Sequence, residues 1–386
     1  MRPKILCISF SEITADSRVL RQLDLLAEFG DVTTLSYGAQ PAAAADHLEV
    51  DTKLASLPQT PLGVALLAIR WHSKAELAAP AVQRALALVK GRRFDLIVAN
   101  EARALPLAHY IAGGTPIWGD MHEWAPEERV QVLSWKLLVA PLMTSICKRY
   151  LPKTEAISVV NDSIAELYQE HFSCSTETVR NARPYVELVP EPLTDGPIRL
   201  VHSGAAVPGR NLEGMIEAVG LLGPGYTLDF YLIEARDNGR YLRQIQHLAA
   251  GNEQIRFLPS VAPHELPEVL NDYDLGIYSL PPQTRNQALM LPNKFFDFVQ
   301  ARLGIVFSPS PETSRLIEEH HVGVVTEDFS AGSLASAIKS LSRDQIWTYK
   351  QNTHHAAQAL SSESDSEVAR GIVRRLLLER SRPASR

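Results

Sequence analysis

Within the stretch Gly119-Asp-Met-His-Glu-Trp-Ala-Pro126, two carboxylates and an imidazole fall within four residues. Asp120, His122 and Glu123 have the donor types of a metal site, of an acid–base group, or of the polar mouth of a cleft. A mononuclear metal site would want ligands on further elements. The twelve histidines of the chain offer no H-x-H or H-x-x-x-H partner, so no metal and no bound cofactor are expected. A second cluster is Leu291-Pro-Asn-Lys-Phe-Phe-Asp297. Pro292 and Asn293 read as a helix start with Asn293 as its cap, Lys294 in the first turn and Asp297 one turn later. A helix N-terminus offers free N–H groups and positive dipole charge, which suit a diphosphate, and a carboxylate can accept two hydrogen bonds from a vicinal diol. Those are the parts of a nucleotide site, and they are also the parts of a solvated surface helix. The third cluster begins on the strand "IRLVHSG", which is expected to end at His202, Ser203 and Gly204, with Arg210 just before a helix. Small residues after a strand let a phosphate reach backbone N–H groups, and Arg210 could pair with it bidentately. Neither a G-x-G-x-x-G nor a Walker loop occurs.

These residues need strands and helices to hold them, and the hydrophobic pattern supplies both. "KILCISF", "DVTTLSY", "FDLIVAN", "TPIWGDM" and "AISVV" read as strands, and they alternate with helical patterns over "DSRVLRQLDLLAEFG", about 80–90, "ALPLAHYIA", about 127–150 and "DSIAELYQEHF". The Ala/Pro-rich stretch "AQPAAAADHLEVDTKLASLPQTP" reads as mostly loop. Around 183–197 a proline- and acid-rich segment reads as a linker. A second series then runs from "IRLVHSG" to "GIVFSP", with helices over "NLEGMIEAVGLL", "GRYLRQIQHLA", "HELPEVLNDY" and "PNKFFDFVQAR", and it ends in two or more helices. Repeated strand–helix units imply parallel sheets. The expected fold class is α/β, two Rossmann-like parallel-sheet domains facing a central cleft. The domains are placed at 1–182 and 198–365, with 366–386 a C-terminal helix and basic tail packing back on the first.

Taken together, in this order and separation, the motifs resemble the GT-B glycosyltransferases, and family 4 in particular. "IRLVHSGAAVPGRNLEGMIEAV" is similar to the family's strand–glycine loop with a basic residue opening the next helix, and "LPNKFFDFVQARLGIVFSP" is similar to its later donor-binding segment. "GDMHEWAP" resembles its D-x-H-E element, and "DSRVLRQLDLLAEFGDVTTL" its opening helix and second strand. The resemblance implies transfer of a sugar from a nucleotide-sugar to a hydroxyl acceptor, with retention and without a metal. It implies that Asp120, His122 and Glu123 frame the reacting sugar and that Gly204, Arg210, Asn293, Lys294 and Asp297 hold the donor. Glu101, at the end of "FDLIVAN", and Asp16 and Arg18, which open the first helix, would lie on the acceptor side. The family's E-x7-E pair would end at Asp297, but its first member falls on Leu289, as in a subset that carries L-P-N-K; backbone groups or Asn286 would then replace it. A nucleotide-sugar epimerase on the same fold, or an inactive nucleotide-sugar-binding module, are the alternatives.

At 386 residues the chain is long enough for about two domains, and its net charge of −6 argues against a general nucleic-acid binder. Its three cysteines are far apart and suit a reducing cytosol. No signal peptide is read at the start, and "VLSWKLLVAPLMTSICKRY", apolar with interspersed Lys and Arg, reads either as a core helix bent at Pro141 or as a peripheral contact with the inner face of a membrane. Donor base, sugar and acceptor are left open by these residues.

Overall fold

The computed structural model describes residues 2–235 and 237–380. The chain divides into two compact units: 1–180 with 284–286 and 365–386, and 181–283 with 287–364. The basic end "ERSRPASR", expected to pack back on the first domain, falls from 381 onward outside the described residues.

The first unit is built on a seven-stranded sheet of β1 (Lys4–Glu12), β2 (Asp31–Tyr37), β3 (Asp46–Val50), β4 (Leu96–Asn100), β5 (Ile117–Met121), β6 (Ala156–Val159) and β7 (Glu177–Thr178), in the order β3-β2-β1-β4-β5-β6-β7. The second holds six strands, β8 (Ile198–Ala206), β9 (Tyr226–Glu234), β10 (Ile255–Leu258), β11 (Leu275–Tyr278), β12 (Gly304–Phe307) and β13 (Gly323–Val325), in the order β10-β9-β8-β11-β12-β13. Every pairing among these strands is parallel. Central strands covered on both faces must be apolar throughout, and Ile5, Leu6, Cys7 and Ile8 of β1 are all fully buried. In each sheet the strand order reverses once, between β1 and β4 and between β8 and β11. At such a reversal the connections leave in opposite directions and open a crevice at the carboxyl ends of the strands, where ligands of open α/β sheets bind.

The helix Ser17–Phe29 shows how the flanking layers form. Asp16 caps it by accepting from the Val19 amide at 3.2 Å, and Val19, Leu23 and Leu26 go into the core with Ile5 and Val98. Ile372, Val373 and Leu376, from the helix Ser362–Arg380, join the same core.

Several elements depart from the sequence reading. The stretch expected to be loop contains β3 and leads into the helix Pro61–Ala68, whose first turn is capped by Thr60. The region near 127–150 is not one helix: a 3-10 turn at Ala125–Glu127 precedes a π-helical turn, Trp135–Val139, and only then the α-helix Ala140–Tyr150. Pro141 explains the wide turn, because its ring cannot pack against the carbonyl four residues earlier and it has no N–H to donate. β8 does not stop at Gly204 but pairs with β9 as far as Ala206. The segment 183–197 has no regular structure, yet it is strapped to the second unit by the buried Arg302 guanidinium, which donates to the Val186 and Leu188 carbonyls at 2.6 and 3.2 Å.

Candidate functional site

Each unit carries a polar crevice at its strand-order reversal. In the first, parallel register places Asn100, Asp120 and Ser158 side by side at the carboxyl ends of β4, β5 and β6. Asp120 is buried and accepts from Arg18 Nε at 2.9 Å and Nη2 at 2.6 Å, Gln22 Nε2 at 3.2 Å and Ser158 Oγ at 2.6 Å. Burial alone would raise its carboxyl, but the Arg18 guanidinium and the adjacent His122 overcome that and hold it well below the usual carboxylate range. With its oxygens filled by donors, Asp120 is an anchor and not a free ligand. Among the described residues no group of three or more His, Cys, Asp and Glu gathers in metal-binding geometry.

His122 is held on this anchor. Its Nε2 lies 3.2 Å from Asn100 Oδ1 and 3.3 Å from Asp120 Oδ2. The Asn100 amide donates to the Ile8 carbonyl at 3.3 Å and to Gln22 Oε1 at 3.0 Å, which turns its oxygen towards His122. Nε2 therefore faces two acceptors and must carry a hydrogen. In the neutral ring this leaves the Nδ1 lone pair pointing towards Glu101 Oε1, 3.7 Å away and too far for a hydrogen bond. Glu101 sits at φ +67, a conformation that turns it out of the end of β4, and its carboxylate is paired with Arg103. His122, Glu101, Arg103, Glu123, Glu128 and Trp135 are among the residues lining a cleft of about 360 Å³, open mouth included. Crowding by protein, with the like charges of Glu128 and Glu101, pushes Glu123 up to about 7, although its side chain keeps substantial contact with solvent. Two aromatic residues fix the loop that carries Glu123. The Tyr168 hydroxyl donates to the Glu123 carbonyl at 2.9 Å, and Trp124 packs edge-on against Tyr168 at 5.0 Å.

The second crevice has a different chemistry. Gly204 adopts φ +152, and a Cβ built there would come within 3.3 Å of Lys294 Cε and 3.8 Å of His202 Nε2. The carboxyl end of β8 and the start of the helix Asn293–Gln300, two motifs ninety residues apart in the chain, thus meet. His202 donates through Nδ1 to the Ile277 carbonyl at 3.0 Å; burial, opposed by that bond and reinforced by the nearby Lys294 and Arg210, depresses it to about 4, so it is neutral. Arg210 is exposed. A shallow pocket, about 300 Å³ with its open mouth included, is lined by Tyr278, Pro292, Ser308 and Thr313, among others. The buried hydroxyls of Ser203 and Thr313 have no hydrogen-bond partner among the described residues.

The remaining candidates fall elsewhere or serve other purposes. Asp297 is completely buried, its oxygens engaged by Arg183 and, at 2.6 Å, by Lys294 Nζ. Its carboxylate thus holds two cations in place. Asn293 is not the cap: Pro292 occupies that position without a side-chain bond, because the helix begins at Asn293 itself, whose Oδ1 accepts from Asn181 at 3.2 Å. Asn286 groups with the first unit, clamping the Trp124 backbone with Oδ1 to N–H at 2.8 Å and Nδ2 to the carbonyl at 3.2 Å. Asp16 is an N-cap, and Arg18 also donates through Nη1 to the Val179 carbonyl at 2.8 Å. Asn100, Gln22, Ser158 and Arg183 carry no local signal in the sequence. They matter only because strand register or the 183–197 strap brings them in.

No family model matches the chain, and no curated protein matches it in sequence. Solved structures do match it in shape. Anabaena HepE, solved in complex with UDP, superposes with a TM-score of 0.70 at 14% identity, over 96% of this chain and 99% of that one. A glycosyltransferase from Rickettsia africae gives 0.69 at 11%, over 97% and 99%, and sucrose-phosphate synthase from Thermosynechococcus elongatus gives 0.68 at 14%, over 98% and 100%. The chain has the GT-B glycosyltransferase fold: two parallel-sheet α/β units, of seven and six strands.

Proposed function

We propose that this protein is a glycosyltransferase that takes its sugar from a nucleotide-sugar, in the manner of family 4, with retention and without an essential metal. The observation that carries the reading is the juxtaposition of Gly204 and Lys294 near the β8/β11 reversal, where side-chain-free backbone approaches the Lys294 side chain, whose ammonium group is held by Asp297. A diphosphate needs both close backbone N–H groups and a cation. Lys294 and the exposed Arg210 hold the leaving diphosphate, with Asp297, itself paired with Arg183, fixing the Lys294 ammonium. Charge that develops there during transfer meets preorganised positive groups, which lowers the barrier without reorganisation. HepE, also solved with UDP-glucose, makes uridine nucleotides the first donors to try.

In the first crevice, His122 is the group that works on a hydroxyl. Its Nδ1 lone pair accepts the proton of an acceptor or orients the reacting sugar, while Asp120 steadies the ring through Nε2. Glu101 and Glu123 orient the acceptor hydroxyl. Thermal shift with UDP-, GDP-, dTDP- and ADP-sugars tests the reading, because a ligand bound only by the folded state raises the melting temperature by mass action. A rise with one base class is expected. No shift with any of the four, at millimolar concentration, removes the nucleotide-sugar assignment.

A further inference from the structure

One face of the first unit is apolar where it should be wet. The helix Pro61–Ala68 is hydrophobic on every side, a composition suited to a buried helix. Yet Leu62 is 69% exposed, and just beyond the helix Ile69 and Trp71 are 66% and 52% exposed. The helix packs against the π-helical turn Trp135–Val139, where Leu137 is 52% exposed, and Leu133 just before it is 69% exposed. The helix His72–Ala75 packs on both Pro61–Ala68 and Ala140–Tyr150, so these elements adjoin one another. Single exposed leucines are ordinary; five large apolar side chains on adjoining elements are not.

Charge identifies what covers them. The two segments 61–75 and 129–149 contain no aspartate or glutamate and carry Arg70, Lys74, Arg129, Lys136, Lys148 and Arg149, in a chain whose net charge is −6. Of these six, Arg149 is tied to the buried Glu76, whereas Arg70, Lys74, Arg129, Lys136 and Lys148 are exposed. A protein partner with an apolar patch would not require a surface cleared of acids. An anionic lipid surface would, because every carboxylate there would be repelled and every lysine or arginine attracted. Long basic side chains can also lie along the apolar surface while keeping their charge at headgroup level, and tryptophan favours that interface. No described helix is long and apolar enough to cross a bilayer, so the contact is one of lying on the surface.

We infer that this face, formed by 61–75 and 129–149, docks on the surface of an anionic phospholipid bilayer. The inference stands apart from the proposed transferase activity and is tested without it. Full-length protein is sedimented with vesicles of phosphatidylcholine alone and of phosphatidylcholine mixed with phosphatidylglycerol. Binding to the anionic vesicles only, weakened by salt, is expected. Leu133→Glu with Leu137→Glu should lower the partition coefficient roughly tenfold or more, and Lys74→Glu with Lys136→Glu comparably, since each basic residue near the surface contributes severalfold. The lysine pair touches no core and keeps the test valid if the leucine pair unfolds. Absence of binding to anionic vesicles, or binding that both double variants leave unchanged, overturns the inference. So does a wild-type dimer, seen by light scattering, that the leucine variant converts to monomer while vesicle binding is absent; the face would then be a contact between two copies.

Discussion

The two crevices use the same device in opposite surroundings. Each contains a buried carboxylate gripped by an arginine, Asp120 by Arg18 in the first unit and Asp297 by Arg183 in the second. Around Asp120 the neighbouring ionisable groups include Glu101, Glu123 and Glu128, and burial, with the like charges of Glu128 and Glu101 outweighing His122 and Arg103, pushes Glu123 up to about 7. Around Asp297 lie Lys294, a bare glycine and an exposed Arg210, and His202 is pushed down to about 4. An ion pair therefore says little about what a site binds. The uncompensated charge beside it says more: the acidic crevice suits hydroxyls and proton acceptance, and the basic one suits an anion.

This contrast can be broken at four points. The largest effect is expected for Asp120→Ala, which strands the buried Arg18 guanidinium and the Ser158 hydroxyl. Losing one partner of a buried pair costs about 3–5 kcal/mol, to be read as a drop in the denaturant midpoint. A cost under about 1 kcal/mol would mean that the first crevice is soft and the comparison misdrawn. Next is His122→Ala, expected to lower kcat by roughly two orders of magnitude while leaving nucleotide affinity nearly unchanged, as suits a group acting on the hydroxyl side. Near-normal turnover in a variant with normal melting temperature would leave His122 a structural residue.

Lys294→Ala probes the opposite pole. It should weaken free nucleoside diphosphate by about 1.5–3 kcal/mol in calorimetry, the size of one charge-assisted contact, and Arg210→Ala by a similar or smaller amount because Arg210 is exposed. Unchanged affinity in both would take the diphosphate out of this crevice. The smallest effect concerns pH. A Glu123 carboxyl raised from 4.5 to about 7 keeps its proton in the folded chain after the unfolded chain has lost it, so its share of stability falls as pH rises through that window. Asp120, held low, has the opposite sign and loses its share only on acidification. Melting temperatures of Glu123→Gln and wild type should therefore converge near pH 4.5 and separate by pH 8, with the variant the more stable there. Parallel curves across the range would show that the acidic crowding is screened away.

Most of the architecture is readable because central strands of parallel sheets must be continuous apolar runs; β1, β4, β5, β8, β11 and β12 all announce themselves that way. The strands that escape the pattern are β3, β7 and β13. All three lie at sheet edges, where one neighbour is missing and short polar sequences such as Asp46–Val50 or Glu177–Thr178 suffice. At the sites, residue types are legible and their allegiances are not. "GDMHE" marks a polar loop, but that Asp120 serves as anchor and His122 as the available group depends on Arg18, Gln22 and Ser158, fetched from 102, 98 and 38 residues away. Likewise Lys294 and Asp297 stand out together, while Arg183, which pairs with Asp297, sits in a proline-rich strap with no periodic pattern at all.

The helix Ser362–Arg380 makes the first unit discontinuous, since Ile372, Val373 and Leu376 share a core with Ile5, Val19 and Leu23. On a ribosome, the strands that carry Asn100, Asp120 and Ser158 emerge with that core still lacking one wall, and the whole second unit is synthesised before the wall arrives. The second unit has no such wait for the far end of the chain beyond residue 364. Vectorial synthesis therefore favours completing the later-made unit first and the earlier-made one last. A chain released before residue 369 would carry an intact basic crevice beside a first unit whose apolar interior is open to chaperones and proteases.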